Sequence, residues 1–255
     1  MRQMMQCALN GAELLALGDR VYIEDIQEEI HVDMETGKRL GYAEIPLSAP
    51  RHSSMTITVT VMIKDRNRVR RMGLIQAIRG WAGKGWLTTN IHPGQRIYVW
   101  CVQPPNVETF DWTARMDIVF EAFGEAYWQD IHPKAIISEA AVSSASVVIS
   151  PTGTRPCYLE AEITPESGTL TEATITVSGQ KFELTGLEIA AGDTLSIWYD
   201  EMHLLRIESG GESLLGCRSA ESDDDLILQD RTPNTVGLSF DTACNYTIKA
   251  RGLWK

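Results

Sequence analysis

The sequence predicts a mainly β protein in two blocks: a strand-rich block with one α-helix, then an antiparallel sandwich of jelly-roll type. Three observations carry this reading. The run Met55-Thr56-Ile57-Thr58-Val59-Thr60-Val61-Met62-Ile63-Lys64 alternates with period two in β-branched residues, as a half-buried strand does. From about residue 143 onward, short apolar segments recur between turn residues every 8 or so to 12 positions, without a helical stripe. Two phrases of one form then close the two blocks. Phe120-Glu121-Ala122-Phe123-Gly124-Glu125-Ala126-Tyr127-Trp128-Gln129 ends the first and Lys249-Ala250-Arg251-Gly252-Leu253-Trp254-Lys255 ends the second, each a strand running into a small residue and an aromatic anchor.

In the first block, residues 21–26, 55–64, 96–102 and 116–122 read as strands. The third of these is apolar on both faces, which predicts a central or interfacial position. Asn10-Gly11 and Thr36-Gly37 sit where turns are needed. Residues 33–54, rich in Gly, Pro and charge, read from composition as either a long, poorly buried arm or a disordered loop. One helix is predicted over 66–81 with Asp65 as its N-cap: Leu74, Ile75, Ile78 and Trp81 share a face, while Arg66, Arg68, Arg70, Arg71 and Arg79 occupy much of the remainder. Gly80, Gly83 and Gly85 end it. On an otherwise acidic chain this arginine cluster is the candidate subunit interface.

His132-Pro133 forces an extended linker and marks the boundary, dividing residues 1–131 from 132–255. Beyond it, strands are expected over 145–149, 159–163, 173–177, 181–184, 194–199, 204–208, 236–240 and 246–250. Ala191-Gly192-Asp193-Thr194 and Pro233-Asn234 are the turns that feed two of them.

Composition narrows the function. The chain has 255 residues, 44% hydrophobic and 22% charged, enough for sizeable cores and unlike disordered or fibrous sequences. No apolar run approaches the roughly 20 residues of a membrane-spanning helix, and the amino terminus shows no secretory signal pattern. The net charge of −11 argues against general affinity for nucleic-acid phosphates. The five cysteines are unpaired in spacing and predict reduced, mostly buried thiols.

The order of strands, one Arg-rich helix ending in Trp81, further strands, Phe-x-Ala, Tyr127-Trp128 and finally Arg251-Gly252-Leu253-Trp254 resembles the distal tail proteins of long-tailed bacteriophages. The Gly192-Asp193 and Asn234 turns are similar to those of that family's second domain, although Ala126 stands where proline is usual before Tyr-Trp. The resemblance implies an N-terminal β-sandwich with one helix and a hairpin or arm (residues 1–131), which forms a ring, and a galectin-like jelly-roll sandwich (132–255). It implies a structural virion component of the tail tip, assembled in the host cytoplasm. Its partners would be further copies of itself in a hexameric ring, tail-tube and baseplate proteins, and receptor-binding components. DNA would pass through the channel without specific binding, aided by like charge on the wall.

Chemistry is not expected, and no cofactor or metal is. The five histidines are scattered and none stands at i, i+4 from another. Asp223-Asp224-Asp225 lacks the alternation of a calcium loop and reads as a solvated acidic turn. Nucleophile elbows and phosphate-binding glycine loops are lacking, Gly83-Lys84-Gly85 alone being too little. The alternative to the structural reading is a non-catalytic carbohydrate-binding or adhesin module of two β-sandwiches, with Trp198, Tyr199 and Trp254 as candidate sugar-stacking residues.

Overall fold

The computed structural model describes residues 5–33, 36–38, 44–46, 51–123, 127–200 and 203–254. The chain divides into two compact units, Met1–Trp128 and Gln129–Lys255. It is mainly β, with two large antiparallel sheets and a single α-helix among the described residues.

The first unit contains β1 (Cys7–Leu9), β2 (Ala12–Glu13), β3 (Val21–Asp33), β4 (Thr36–Lys38), β5 (Glu44–Pro46), β6 (Arg51–Lys64), α1 (Arg68–Trp81), β7 (Lys84–Thr89), β8 (Gln95–Thr109) and β9 (Thr113–Phe123). Its sheet runs β2-β1-β7-β8-β9-β6-β3. The alternation in β6 does what period two requires: Met55, Ile57, Val59, Val61 and Ile63 are all buried. They join Met116, Ile118 and Phe120 of β9, Ile97 and Val99 of β8, and Ile75 and Ile78 of α1 among the buried residues of this unit. Trp81 meets Phe120 edge to face at 6.0 Å, and its indole N–H donates to the Ala12 carbonyl at 2.8 Å.

One of the two expected turns in this unit is found and the other is not. Asn10-Gly11 is a two-residue hairpin turn, both residues left-handed at φ 51° and 78°. Thr36-Gly37, by contrast, lies inside β4 and pairs with β5, so it is strand rather than turn. The expected hairpin at 33–54 carries the paired ends of β3 and β6, as far as Asp33 opposite Arg51, and the β4–β5 ribbon; residues 34–35, 39–43 and 47–50 lie outside the described residues. β8 is central, between β7 and β9, but its second face is open, with Trp100 and Val102 exposed. Its ladder with β9 skips across Pro104-Pro105, which have no N–H to donate.

In the second unit, β10 (Trp128–Asp130) begins before the division and is followed by β11 (Lys134–Ile149), β12 (Cys157–Pro165), β13 (Thr169–Val177), β14 (Gln180–Ala190), β15 (Leu195–Tyr199), β16 (Leu205–Ser209), β17 (Glu212–Ser213), β18 (Ile227–Leu228), β19 (Asn234–Ala250) and β20 (Leu253–Trp254). The sheet order is β14-β13-β19-β12-β15-β16-β17, with β11 on β19 and β18 on β12. The strands expected at 236–240 and 246–250 are one strand of 17 residues, because no chain reversal separates them.

β19 makes the sandwich. β11 pairs along one edge from end to end, with register shifts around Val142. On the other edge, residues 236–240 pair with β13 and residues 244–250 with β12. The sheet therefore turns over between these segments, opposite a bulge where Ala141 adopts φ 56° and its N–H donates to Asn245 Oδ1 at 2.9 Å. The two halves enclose one apolar cluster that includes Leu159 and Ile163 of β12, Ile175 of β13, Phe182 of β14 and Ile197 of β15.

The closing phrase has a physical account. Arg251 Nε reaches Glu160 Oε1 at 3.2 Å and its Nη1 donates to the Ile131 carbonyl at 3.0 Å. Asp130 N–H donates to the Gly252 carbonyl at 3.0 Å, and the Trp254 indole donates to Asp130 Oδ1 at 3.1 Å. Gly252 is needed because a Cβ there would stand 2.8 Å from both Thr152 O and Asp130 Oδ2. Gly252→Ala is expected to cost about 1–3 kcal/mol, read as a fall in the midpoint of chemical denaturation with unchanged slope.

Candidate functional site

The helix start is built differently from the sequence expectation. Asn67, not Asp65, is the N-cap of α1: its Oδ1 accepts from Val69 N at 2.9 Å and Arg70 N at 3.2 Å. Asp65 sits one step earlier, accepting from Asn67 N at 2.7 Å and facing Arg20 Nε at 3.6 Å. Arg66 consequently precedes the helix. Arg66, Arg68 and Arg70 are exposed. Arg71 is not: it is 6% exposed, shares the inner face with Ile75 and Ile78, and donates from Nη1 to the Asp65 carbonyl at 2.6 Å. Arg79 lies at the opposite end, its Nη2 3.4 Å from the Pro105 carbonyl.

Those exposed arginines have aromatic company that sequence reasoning missed. Asp65 N–H donates to the Trp112 carbonyl at 3.1 Å, which ties the helix start to the β8–β9 turn. Phe110 and Trp112 of that turn are 58% and 54% exposed, and Val69 of α1 is 80% exposed. Lys64 Nζ lies 5.1 Å from the Tyr22 ring, whose residue is itself exposed. A basic and aromatic surface results. The sequence signal was present in Phe110-Asp111-Trp112, but only strand pairing brings it to the helix. Arg68, Arg70 and Arg71 occupy the first turn with no acidic residue, against the helix dipole at about 0.3–1 kcal/mol per exposed charge.

The second unit offers a polar cleft of about 280 Å³ on the face of its sheet that points away from the core. Glu160 and Glu162 (β12), Ser196 and Trp198 (β15), Glu208 (β16) and Lys249 (β19) line it, with Gly210-Gly211 of the β16–β17 turn at its side. Register explains the grouping: Ser196 stands opposite Glu162 on one side and Glu208 on the other, and Glu160 opposite Lys249. Lys249 Nζ pairs with Glu162 Oε1 at 2.5 Å, as Arg251 does with Glu160.

Of the candidate stacking residues, Trp198 alone lines this cleft. Tyr199 is only 7% exposed; it stacks on Tyr158 at 4.1 Å and its hydroxyl accepts from Leu226 N at 3.0 Å. Burial pushes its phenol well above the usual range. Trp254 is half-buried and committed to Asp130.

All five cysteines are free thiols, with Cys7, Cys157 and Cys244 buried. Burial pushes Cys7 and Cys157 up to about 12 and Cys244 up to about 11. Among the described residues no group of three or more His, Cys, Asp or Glu is placed to hold a metal ion. The acidic turn is tied to the strands, with Asp223 Oδ2 accepting from Lys181 N at 2.6 Å and Asp224 Oδ1 meeting Arg218 Nη2 at 2.6 Å.

Two outcomes are expected. In native protein at pH 8, a thiol reagent should label Cys7, Cys157 and Cys244 at least about 100-fold more slowly than free cysteine, because neither thiolate nor access is available; mass spectrometry after timed quenching measures this. Arg71→Glu should cost about 3 kcal/mol or more by placing a carboxylate among apolar side chains, whereas Arg68→Glu should leave the thermal midpoint within about 0.5 kcal/mol of the parent.

No protein-family model and no curated protein matches the chain. Solved structures do. The crystal structure of the phage SPP1 Dit (gp 19.1) protein, described as a paradigm of the hub adsorption apparatus in phages infecting Gram-positive bacteria, superimposes with a TM-score of 0.74 at 9% identity, over 98% of this chain and 99% of that one. Chains of the phage P2 baseplate in its activated conformation give 0.54 at 9% identity with Ca and 0.53 at 8% with Sr, each over 98% of both chains. Over almost its whole length, therefore, the chain has the fold of the SPP1 Dit protein, a mainly β fold as the resemblance to distal tail proteins implies.

Proposed function

We propose that this chain is a structural tail-tip protein of a long-tailed bacteriophage, forming a hexameric ring that connects the tail tube to the baseplate or host-recognition apparatus. The observation that carries the reading is the end-to-end likeness to the SPP1 Dit protein, a fold spanning both units rather than one common sandwich. Residues 1–131 are the ring-forming domain in this reading, and residues 132–255 the galectin-like domain on which receptor-binding components dock. The protein works by assembly and not by catalysis, in the virion tail, after synthesis in the bacterial cytoplasm.

The basic and aromatic surface supports this role. Ring closure is heterologous, so each copy presents one surface to one neighbour and a different one to the other. Exposed Arg66, Arg68 and Arg70 beside Phe110 and Trp112 suit an acidic neighbouring surface, and a chain of net charge −11 supplies one in its own copies. The surplus acidic charge, turned toward the channel, keeps DNA from adhering as it passes.

Size-exclusion chromatography with light scattering tests the proposal. A particle of six chain masses, ring-shaped by negative-stain microscopy, is the expected result; a monomer at every concentration overturns it. Reversing Arg66, Arg68 and Arg70 to Glu together is expected to shift the protein to smaller species while the melting temperature stays within a few degrees. An unchanged ring after that triple reversal removes this surface from the subunit contact.

A further inference from the structure

We infer that the cleft beside Trp198 binds a neutral pyranose saccharide, independently of whether the first unit closes a ring. Several features converge on that ligand class. Trp198 stands on the outward face of β15, half-exposed, and is one of the residues that line the cleft. A pyranose ring offers an indole one apolar C–H face and a rim of hydroxyls, the combination that an amphipathic aromatic side chain matches.

Polar groups around the indole supply both hydrogen-bonding senses. Among the described residues, the Trp198 indole N–H, the Ser196 hydroxyl and the Glu208 carboxylate have no side-chain partner, although all three open onto the same cleft. They offer a donor, a donor-acceptor and an acceptor, as a polyol requires. Glu160 and Glu162 add acceptors already held in place by Arg251 and Lys249. That mutual pairing matters because it orders the floor of the cleft before a ligand arrives, which lowers the entropy lost on binding.

Charge selects against other ligands. Three carboxylates line the cleft, and its two cations are each neutralised by one of them, so phosphates and acidic sugars meet net repulsion. Divalent cations lack a site, since the described residues hold no metal-ligating group of three. The room, about 280 Å³, falls just below the roughly 300–1,000 Å³ of drug-sized pockets and suits one or two sugar rings.

Saturation-transfer difference NMR on the full chain tests this, with methyl β-D-galactopyranoside, methyl α-D-glucopyranoside and N-acetylglucosamine as probes. At least one probe is expected to show saturable transfer to its ring C–H protons, with a Kd on the order of 1 mM. Trp198→Ala should weaken it by about tenfold or more. Glu208→Ala, at a partly exposed position, provides a second variant whose folding is checked by its melting curve, and loss in either variant with unchanged melting supports the site. Glucose 6-phosphate should bind more weakly than the neutral probes. No transfer to any of the three probes, or transfer that survives both substitutions undiminished, overturns the inference.

Discussion

An interior β-strand must satisfy two hydrogen-bonding edges, and in this protein one long strand in each unit carries that requirement for the rest. β6 holds β3 on one edge and β9 on the other, so its five buried apolar side chains fix which face of the first sheet becomes core. β19 has the harder task. With β11 along one edge and β13 followed by β12 along the other, it cannot stay in one plane if both halves are to bury their apolar faces. The bulge at Ala141 lets the pair bend, and one sheet becomes a sandwich with a single core.

That architecture separates an apolar core from a polar outward face. The side chains facing the sandwich core are nearly all apolar, whereas the outward face of β12, β15 and β16 carries Glu160, Glu162, Ser196, Trp198 and Glu208 in adjacent registers. The cross-strand pair of Lys249 with Glu162 adds little stability where it meets water, while Arg251 and Glu160, just beyond the end of β19, form a more buried pair. Their consequence is order in a polar surface. Arg251 has a double allegiance, since its second contact with the Ile131 carbonyl also fastens the end of the chain to the start of the second unit.

The first unit spends its charge in a similar way. Arg71 packs inward and caps nothing, bound to the Asp65 carbonyl, while its neighbours Arg68 and Arg70 face solvent at a helix end where positive charge is unfavourable. Neither the local helix nor the core benefits from those exposed cations. Phe110 and Trp112 are likewise uncovered in the turn tied to that helix start, so exposed cations and exposed aromatic rings collect at one end of α1.

The sequence by itself determined what periodicity and local chemistry encode: the β6 alternation, the helix ending at Trp81, the mainly β class, the Asn10-Gly11 turn, and the two closing phrases. It also offered candidates without ranking them, Trp198, Tyr199 and Trp254 on one side and the arginine cluster on the other. Tertiary structure decided the matters that depend on partners distant in the chain. Whether Arg71 lies inside or outside depends on which helix face meets the sheet, and one i, i+4, i+7 stripe through Arg71, Ile75 and Ile78 is invisible to a reading that sorts residues by polarity. Tyr199 is lost to the core because β15, paired with β12 and β16, turns Leu195, Ile197 and Tyr199 inward by alternation, and the Tyr199 hydroxyl accepts from Leu226 N there. Residues 236–250 read as two strands because Asp241, Thr242 and Asn245 interrupt the apolar alternation, yet Asp241 and Asn245 are exposed at a sandwich corner, where polar residues stand for the same reason as in a turn. Side-chain pattern reports exposure residue by residue; which exposed residues become neighbours is set by strand register, and register is a property of the folded pair.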